Sequence, residues 1–177
     1  WSPIFFVLTQ DNLHAFQQHQ VLPHIYTQQF IDMFTTFGGG GSTLSLLIVI
    51  LFFCKSKRMR ELAKLALVPG IFGINEPIIF GLPVVLNPVI AVPFIITPVL
   101  NTLIAGLCFT WGWIPYTNGV NLPWTTPIGF SGWLTTGSWR GVVLQFILLI
   151  LGCLIYYPFA KVQDQQYLES ELEAQQA

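Results

Sequence analysis

The feature that most constrains the fold is a long stretch of chain with almost no charge. From Leu65 to Trp139, Glu76 is the only side chain with a formal charge at neutral pH. Over the whole chain 53% of the residues are hydrophobic and 8% are charged, whereas a soluble domain has about 25% charged residues. The sequence therefore predicts an all-α membrane protein, and its net charge of -1 offers no basic face for nucleic acid.

The first part of the chain, residues 1–33, is the most polar and rich in glutamine. We expect an extramembrane loop there, followed by a short helix in which Phe30, Phe34 and Phe37 recur at helical spacing. That helix either lies at the membrane interface or packs on protein. Because the chain starts at Trp1, with neither an initiator methionine nor a signal sequence, we expect the natural protein to begin well upstream.

Residues 34–160 are predicted to form a transmembrane domain, with spans near 34–54, 90–111 and 142–159. The first span ends at the basic sequence KSKRMR, which favours a cytoplasmic location for that end, although the same residues could also dock an acidic partner. Residues 161–177 are interpreted as a solvated acidic tail in the cytoplasm.

Proline and glycine interrupt the apolar sequence at 65–89. Its two arms, 65–74 and 78–87, would each be about 15 Å long as helices, which is half the hydrocarbon thickness. They predict a re-entrant hairpin whose tip is Asn75-Glu76-Pro77. A second interrupted region, 112–130, is either another hairpin or an outer loop, and two hairpins imply a cavity because irregular backbone at membrane depth must be shielded from lipid.

Glu76 is the strongest candidate for a functional side chain. A charge at the bilayer centre costs about 2.5 to 3.5 kcal/mol, so such acids usually face a pathway or a binding site, although a helix-capping role is the alternative. An acid beside the neutral amide of Asn75, without basic partners, suits a polyhydroxylated neutral ligand such as a sugar. Trp124 is the candidate for stacking on that ligand, while the other tryptophans of this half, Trp111, Trp113, Trp133 and Trp139, are typical interfacial anchors.

A run of four glycines before Ser42 and Thr43 adds Gly39 to the candidate binding residues, because glycine lets the backbone approach a ligand. A flexible joint is the alternative, and Ser42 is expected to cap the next helix. The run lacks the lysine of a phosphate-binding loop. No metal site or cofactor is predicted, and Cys54, Cys108 and Cys153 are interpreted as packing residues.

The motifs GGGGSTL, LVPGIFGINEPIIFGLPVVLNP and NLPWTTP resemble the C-terminal half of enzyme IIC, the membrane subunit of the bacterial phosphotransferase system, in its lactose, cellobiose and diacetylchitobiose group. The resemblance implies a homodimeric permease in the bacterial inner membrane, with its dimer interface largely in N-terminal helices outside this chain. Asn75 and Glu76 would hydrogen-bond a β-linked disaccharide and Trp124 would stack on it. A histidine of the family's site would precede Trp1.

The resemblance also implies the partners. A shift of the sugar-holding domain would carry the sugar inward, where enzyme IIB would phosphorylate it. Enzyme IIB would receive the phosphoryl group from enzyme IIA, so the residue that donates this group to the sugar is not on this chain. Two other classes stay open from the residues alone: an ion-coupled transporter or channel with broken helices, and an intramembrane enzyme using Glu76 as a base.

Overall fold

A computed structural model describes residues 2–176 of the chain. Within those residues it has helices and turns and no strand, so the prediction of an all-α membrane fold is confirmed. The helices are α1 (Ser2–Gln17), α2 (Gln28–Phe30, continued by a π-helical turn at Ile31–Thr35), α3 (Thr43–Phe53), α4 (Lys57–Ile71), α5 (Glu76–Gly81), α6 (Pro88–Thr110), α7 (Phe130–Thr136) and α8 (Trp139–Gln176), with 3-10 turns at Gly40–Ser42 and Val84–Leu86.

Three segments in the described part of the chain are long and apolar enough to cross a membrane: Gln28–Phe53, Pro88–Thr110 and Trp139–Ala174. The first differs from the predicted span at 34–54, because it is not one helix. Between the π-turn and α3 the chain makes a turn in which Gly38, Gly39 and Gly41 have positive φ, a region that other residues rarely occupy. The span is therefore broken in its middle.

The aromatic side chains predicted to share one helical face are buried in the protein. Phe30 and Phe34 are fully buried, and both meet the ring of Phe109 on α6 edge to face, at centroid distances of 5.4 and 5.2 Å. Such pairs add about 0.5 to 1.5 kcal/mol each beyond the burial of their area. Of the two interpretations of this pattern, the structure has the helix packed on protein. The polar stretch before it is largely the helix α1 and not a loop.

A second core lies where α3 packs between α4 and α8. The helices α3 and α8 approach closely at Gly152, where an added Cβ would overlap the side chain of Ser45. Small residues permit such contacts between apolar helices. The buried side chains that fill this core are Leu46, Leu47, Val49, Ile50, Met59, Ala63, Ala66, Ile78, Leu82, Tyr156 and Ala160.

The acidic residues after position 160 were interpreted as a solvated tail; Glu169 and Glu173 are exposed, but for Asp164 and Glu171 that interpretation was wrong. They continue α8, which has no break before Gln176, while residue 177 lies outside the described part. Asp164 is 2% exposed, and its carboxylate accepts hydrogen bonds from the backbone N–H groups of Lys55 and Ser56 at 2.8 to 3.0 Å. Glu171 accepts bonds from the Ser56 hydroxyl and the Arg58 N–H. Together they form a clamp on the start of α4.

This clamp explains why the first hairpin arm begins at Lys57 and not near residue 65. Ser56 caps α4 by accepting a bond from the Met59 N–H at 3.4 Å, and the two carboxylates satisfy further N–H groups that a helix start leaves unpaired. The second arm is the short helix α5 followed by the turn at Val84–Leu86. The region 112–130 has no helix before Phe130, so it is an irregular segment leading into α7.

Candidate functional site

The turn between α4 and α5 is fixed by local sequence. Gly73 has a φ of 81°, its N–H bonds to the carbonyl of Gly70 at 3.2 Å, and the N–H of Ile74 bonds to the carbonyl of Pro69 at 3.0 Å. This pair of bonds is the Schellman ending of a helix, which needs glycine at the left-handed position. The helix α5 then starts at Glu76 with Pro77 in its first turn, where the missing N–H costs nothing. Of the predicted tip residues, Asn75 therefore lies just before α5, and Glu76 and Pro77 belong to its first turn.

Asn75 is held by the glycine turn. It is 9% exposed, and its Nδ2 donates to the carbonyl of Gly40 at 2.9 Å. Gly39 lies so close that an added Cβ would be 2.5 Å from the Asn75 Cγ. The glycine run was interpreted either as backbone that approaches a ligand or as a flexible joint; at Gly39 the structure shows backbone packed tightly against a side chain of the hairpin tip. Within the described residues the Oδ1 of Asn75 accepts no hydrogen bond.

Trp124 comes to the same place from the irregular segment. The ring lies against the hairpin turn, since a Cβ on Gly73 would be 3.3 Å from its Cε3, and the side chain is still 58% exposed. Two buried amide side chains brace this segment. The Oε1 of Gln29 accepts a hydrogen bond from the Gly119 N–H at 2.9 Å, and its Nε2 donates to the carbonyl of Val120 at 2.8 Å.

Gln145 of α8 braces the start of α7. Its Oε1 accepts bonds from the N–H groups of Gly129 and Gly132, and its Nε2 donates to the carbonyl of Met33 and the hydroxyl of Ser131. All four hydrogen-bonding capacities of one fully buried amide are thus used, which is the condition for a stable polar group in an apolar core.

The structure brings all four predicted site residues to one cavity of about 240 Å³. The predicted residues are Asn75, Glu76, Trp124 and Gly39, and the cavity is also lined by residues that the sequence did not suggest: Asp32, Thr36, Gly40 and Gly73. No lysine, arginine or histidine lines it in the described part of the chain. What the cavity offers is two carboxylates, an amide, a hydroxyl and one aromatic face.

The helix-capping alternative for Glu76 is not what the structure shows. Glu76 is exposed, and within residues 2–176 its carboxylate accepts no hydrogen bond, so it is free to bind a ligand. The predicted cap at Ser42 was also wrong. Ser42 lies at the start of α3, but its hydroxyl donates to the carbonyl of Thr35 at 2.8 Å and accepts a bond from Asn101 at 3.1 Å.

Asp32 is the residue that sequence analysis most clearly missed. It is the only acid between Asp11 and Glu61, at the start of an apolar run, so the reasoning applied to Glu76 was available for it. Residues 1–33 were predicted to be an extramembrane loop and an interfacial helix, where a charge is ordinary. In the structure Asp32 lies in the π-helical turn, and π-turns occur frequently at functional sites.

The residues described do not form a metal site. No group of three or more histidine, cysteine, aspartate or glutamate side chains is placed to hold an ion among residues 2–176. The three cysteines are free thiols, and those of Cys54 and Cys153 donate to the carbonyls of Ala160 and Ser45. Their contacts are those of packing residues.

Comparison with known proteins identifies the family. Residues 1–98 match the family model described as "Phosphotransferase system, EIIC". The chain is 42% identical to the oligo-beta-mannoside-specific EIIC component of Bacillus subtilis (strain 168), over 97% of this chain and 39% of that protein. It is 41% identical to the cellobiose-specific EIIC component of Geobacillus stearothermophilus, over 96% of this chain and 38% of that protein.

A solved structure has the same fold. It is the crystal structure of the transporter ChbC, the IIC component of the N,N'-diacetylchitobiose-specific phosphotransferase system, with a TM-score of 0.93 and 41% sequence identity. The alignment covers 96% of this chain and 40% of that one, so the chain spans about two fifths of the length of these three relatives. On the family model and these identities, the chain belongs to the EIIC family of the phosphotransferase system.

Proposed function

We propose that the chain forms the sugar-binding part of a phosphotransferase permease, which carries a β-linked disaccharide across the membrane and presents it for phosphorylation. The observation that carries the proposal is the meeting of Asn75, Glu76 and Trp124 at one cavity. Sugar hydroxyls donate to carboxylates and amide oxygens, and the apolar face of a sugar ring stacks on an aromatic face. A cavity without a cation suits a neutral ligand.

The substrate class follows from the relatives and the cavity together. The relatives are described as specific for oligo-beta-mannoside, cellobiose and lactose. We propose a β-linked disaccharide of the cellobiose, diacetylchitobiose or lactose type for this chain. The volume of about 240 Å³ is below the range of about 300 to 1,000 Å³ of typical small-molecule sites, so the described residues enclose part of such a ligand.

Each residue has a definite part in this proposal. The free carboxylate of Glu76 accepts bonds from sugar hydroxyls and orients, or helps to deprotonate, the hydroxyl that is phosphorylated. The free Oδ1 of Asn75 accepts a further hydroxyl, while its Nδ2 stays bonded to the Gly40 carbonyl, which fixes the amide in place. Gly39 allows this contact, and Trp124 stacks on the ring.

We further propose that the basic end of the molecule faces the cytoplasm. All lysines and arginines except Arg140 belong to one set, Lys55 to Lys64 on and before α4 together with Lys161 of α8, and Lys161 donates to the carbonyl of Phe53 at 2.7 Å. Arg140 donates to the carbonyl of Trp113 at the other end of α8. By the positive-inside tendency, residues 34–160 then form the membrane domain and 161–177 lie in the cytoplasm.

Enzyme IIB is the proposed partner at this cytoplasmic face, with enzyme IIA acting through it. Some relatives are described as EIICB components, a name that joins the IIC and IIB parts. The proposed homodimer would form through N-terminal helices outside this chain, and the lipid bilayer surrounds the apolar helices.

The test is equilibrium sugar binding by the full-length protein in detergent, by isothermal titration. The ligands are cellobiose, diacetylchitobiose, lactose and, as an α-linked control, maltose. We expect one β-linked disaccharide to bind and maltose not to bind. Glu76→Ala should abolish binding, whereas Glu61→Gln, a change of an exposed acid on the same hairpin, should leave it unchanged.

Glu76→Gln separates the two roles of the acid. If it binds sugar but no longer supports phosphorylation in the complete system, Glu76 acts as a base; if phosphorylation continues, its role is hydrogen bonding alone. Uptake that needs phosphoenolpyruvate and survives collapse of the ion gradients excludes an ion-coupled transporter. Uptake that stops with the gradients would refute the proposed function.

A further inference from the structure

The second carboxylate of the cavity has no part in the function proposed so far. Asp32 is half-buried in the π-helical turn, among the buried side chains of Met33, Phe34 and Thr35. It lines the cavity together with Glu76. An acid in an apolar span is costly, so its presence at a binding site calls for a function.

The side chain of Asp32 is held in a defined position. Its Oδ1 accepts a hydrogen bond from the Nε2 of Gln28 at 2.9 Å. Gln28 is itself fixed, because its backbone N–H donates to the hydroxyl of Thr9 at 3.0 Å. The Oδ2 of Asp32 accepts no bond from the described residues, so one oxygen of an oriented carboxylate has no protein donor.

The charge of the cavity follows from its lining. Two acids line it, and among the described residues no cation does. The lysines and arginines of the basic end are on and before α4 and on α8 beyond the span, and none of them lines the cavity. A ligand in this cavity therefore meets two negative charges that the described lining does not neutralise.

This charge acts differently on the substrate and on the product of the proposed reaction. A disaccharide is neutral, whereas a phosphate monoester carries about -1.5 to -2 charges at pH 7. At a separation of about 8 to 10 Å and an effective dielectric constant of about 40, repulsion by one carboxylate weakens the binding of such a dianion by on the order of tenfold. Two carboxylates add to this effect.

Resting on the proposed function, we propose that Asp32 is a specificity-determining residue that makes the cavity select neutral saccharides and reject anionic ones, including the phosphorylated product. Phosphorylation then converts a bound ligand into a repelled one, and the product leaves without a separate release step. The same charge excludes saccharides that carry a carboxylate.

The test compares three ligands on the full-length protein: the neutral disaccharide that binds, its phosphate monoester, and the corresponding uronic acid. Asp32→Asn keeps the shape of the side chain and removes its charge. Asp11→Asn is the matched control, because Asp11 is an exposed acid that contacts His24 and does not line the cavity. Dissociation constants are measured by titration for each protein and ligand.

We expect the wild type to bind the phosphate ester at least tenfold more weakly than the neutral disaccharide. Asp32→Asn should narrow this ratio by on the order of tenfold, and Asp11→Asn should not change it. Equal binding of both ligands by the wild type would overturn the inference without any variant. An unchanged ratio of the two dissociation constants in Asp32→Asn would also overturn it. A parallel loss of affinity for all three ligands in this variant would overturn it as well, because it would indicate a purely structural role of Asp32. Failure of every neutral disaccharide to bind the wild type would instead refute the proposed function itself.

Discussion

Replacing Gly39 by alanine tests how the glycine turn supports the cavity. Gly39 has a φ of 94° and a ψ of -179°, a conformation that is essentially restricted to glycine and costs another residue about 1 to 3 kcal/mol. The added Cβ would lie 2.5 Å from the Asn75 Cγ and 2.7 Å from its Nδ2, so the amide must move away. Its bond to Gly40 is then lost, at a further cost of about 0.5 to 1.5 kcal/mol.

The sum of these terms, about 1.5 to 4.5 kcal/mol, corresponds to a loss of roughly 10-fold to 2,000-fold in sugar affinity if it falls on the binding conformation. Isothermal titration of the full-length protein measures this loss. Gly137→Ala is the matched control, because Gly137 also has a positive φ, 63°, but a Cβ there meets nothing within 4 Å. If both variants lose affinity equally, backbone strain alone explains the loss, and the contact with Asn75 has no role. If Gly39→Ala binds sugar like the wild type, the proposed support of the cavity by the glycine turn is refuted.

Two further changes test the clamp on α4 and the aromatic face of the cavity. Asp164→Ala leaves the buried N–H of Ser56 and the N–H of Lys55 without their charged acceptor. It should lower the free energy of unfolding by about 2 to 4 kcal/mol, measured as a reduced melting temperature, while Glu169→Ala, at an exposed position on the same helix, should have no effect. Equal melting of the two variants would show that the clamp adds nothing. Trp124→Leu should weaken sugar binding roughly tenfold, because a ring face that covers about 60 Å² of ligand contributes about 1.5 kcal/mol. The melting temperature of this variant should stay the same, since the side chain of Trp124 is 58% exposed. Unchanged affinity of the variant for the sugar would exclude stacking on Trp124.

The sequence by itself determined the membrane class, the hairpin tip and four of the eight residues that line the cavity, because these depend on local composition. A single charge in a long apolar stretch is expensive wherever the chain folds, so Glu76 stood out without a structure. Gly73 and Pro77 end one helix and begin the next through bonds between near neighbours. The continuation of α8 was also available, since after Pro158 the sequence has no glycine or proline to stop a helix.

Only the tertiary structure decided which residues meet. The clamp joins Asp164 to Ser56 across 108 positions, and Gln145 holds the carbonyl of Met33 across 112. Hydrogen-bond pairing at such separations depends on how the helices pack, and no local pattern encodes it. The same packing places Asp32, which the sequence assigned to a short interfacial helix, in the lining of the cavity, so that the cavity has two acids and not one.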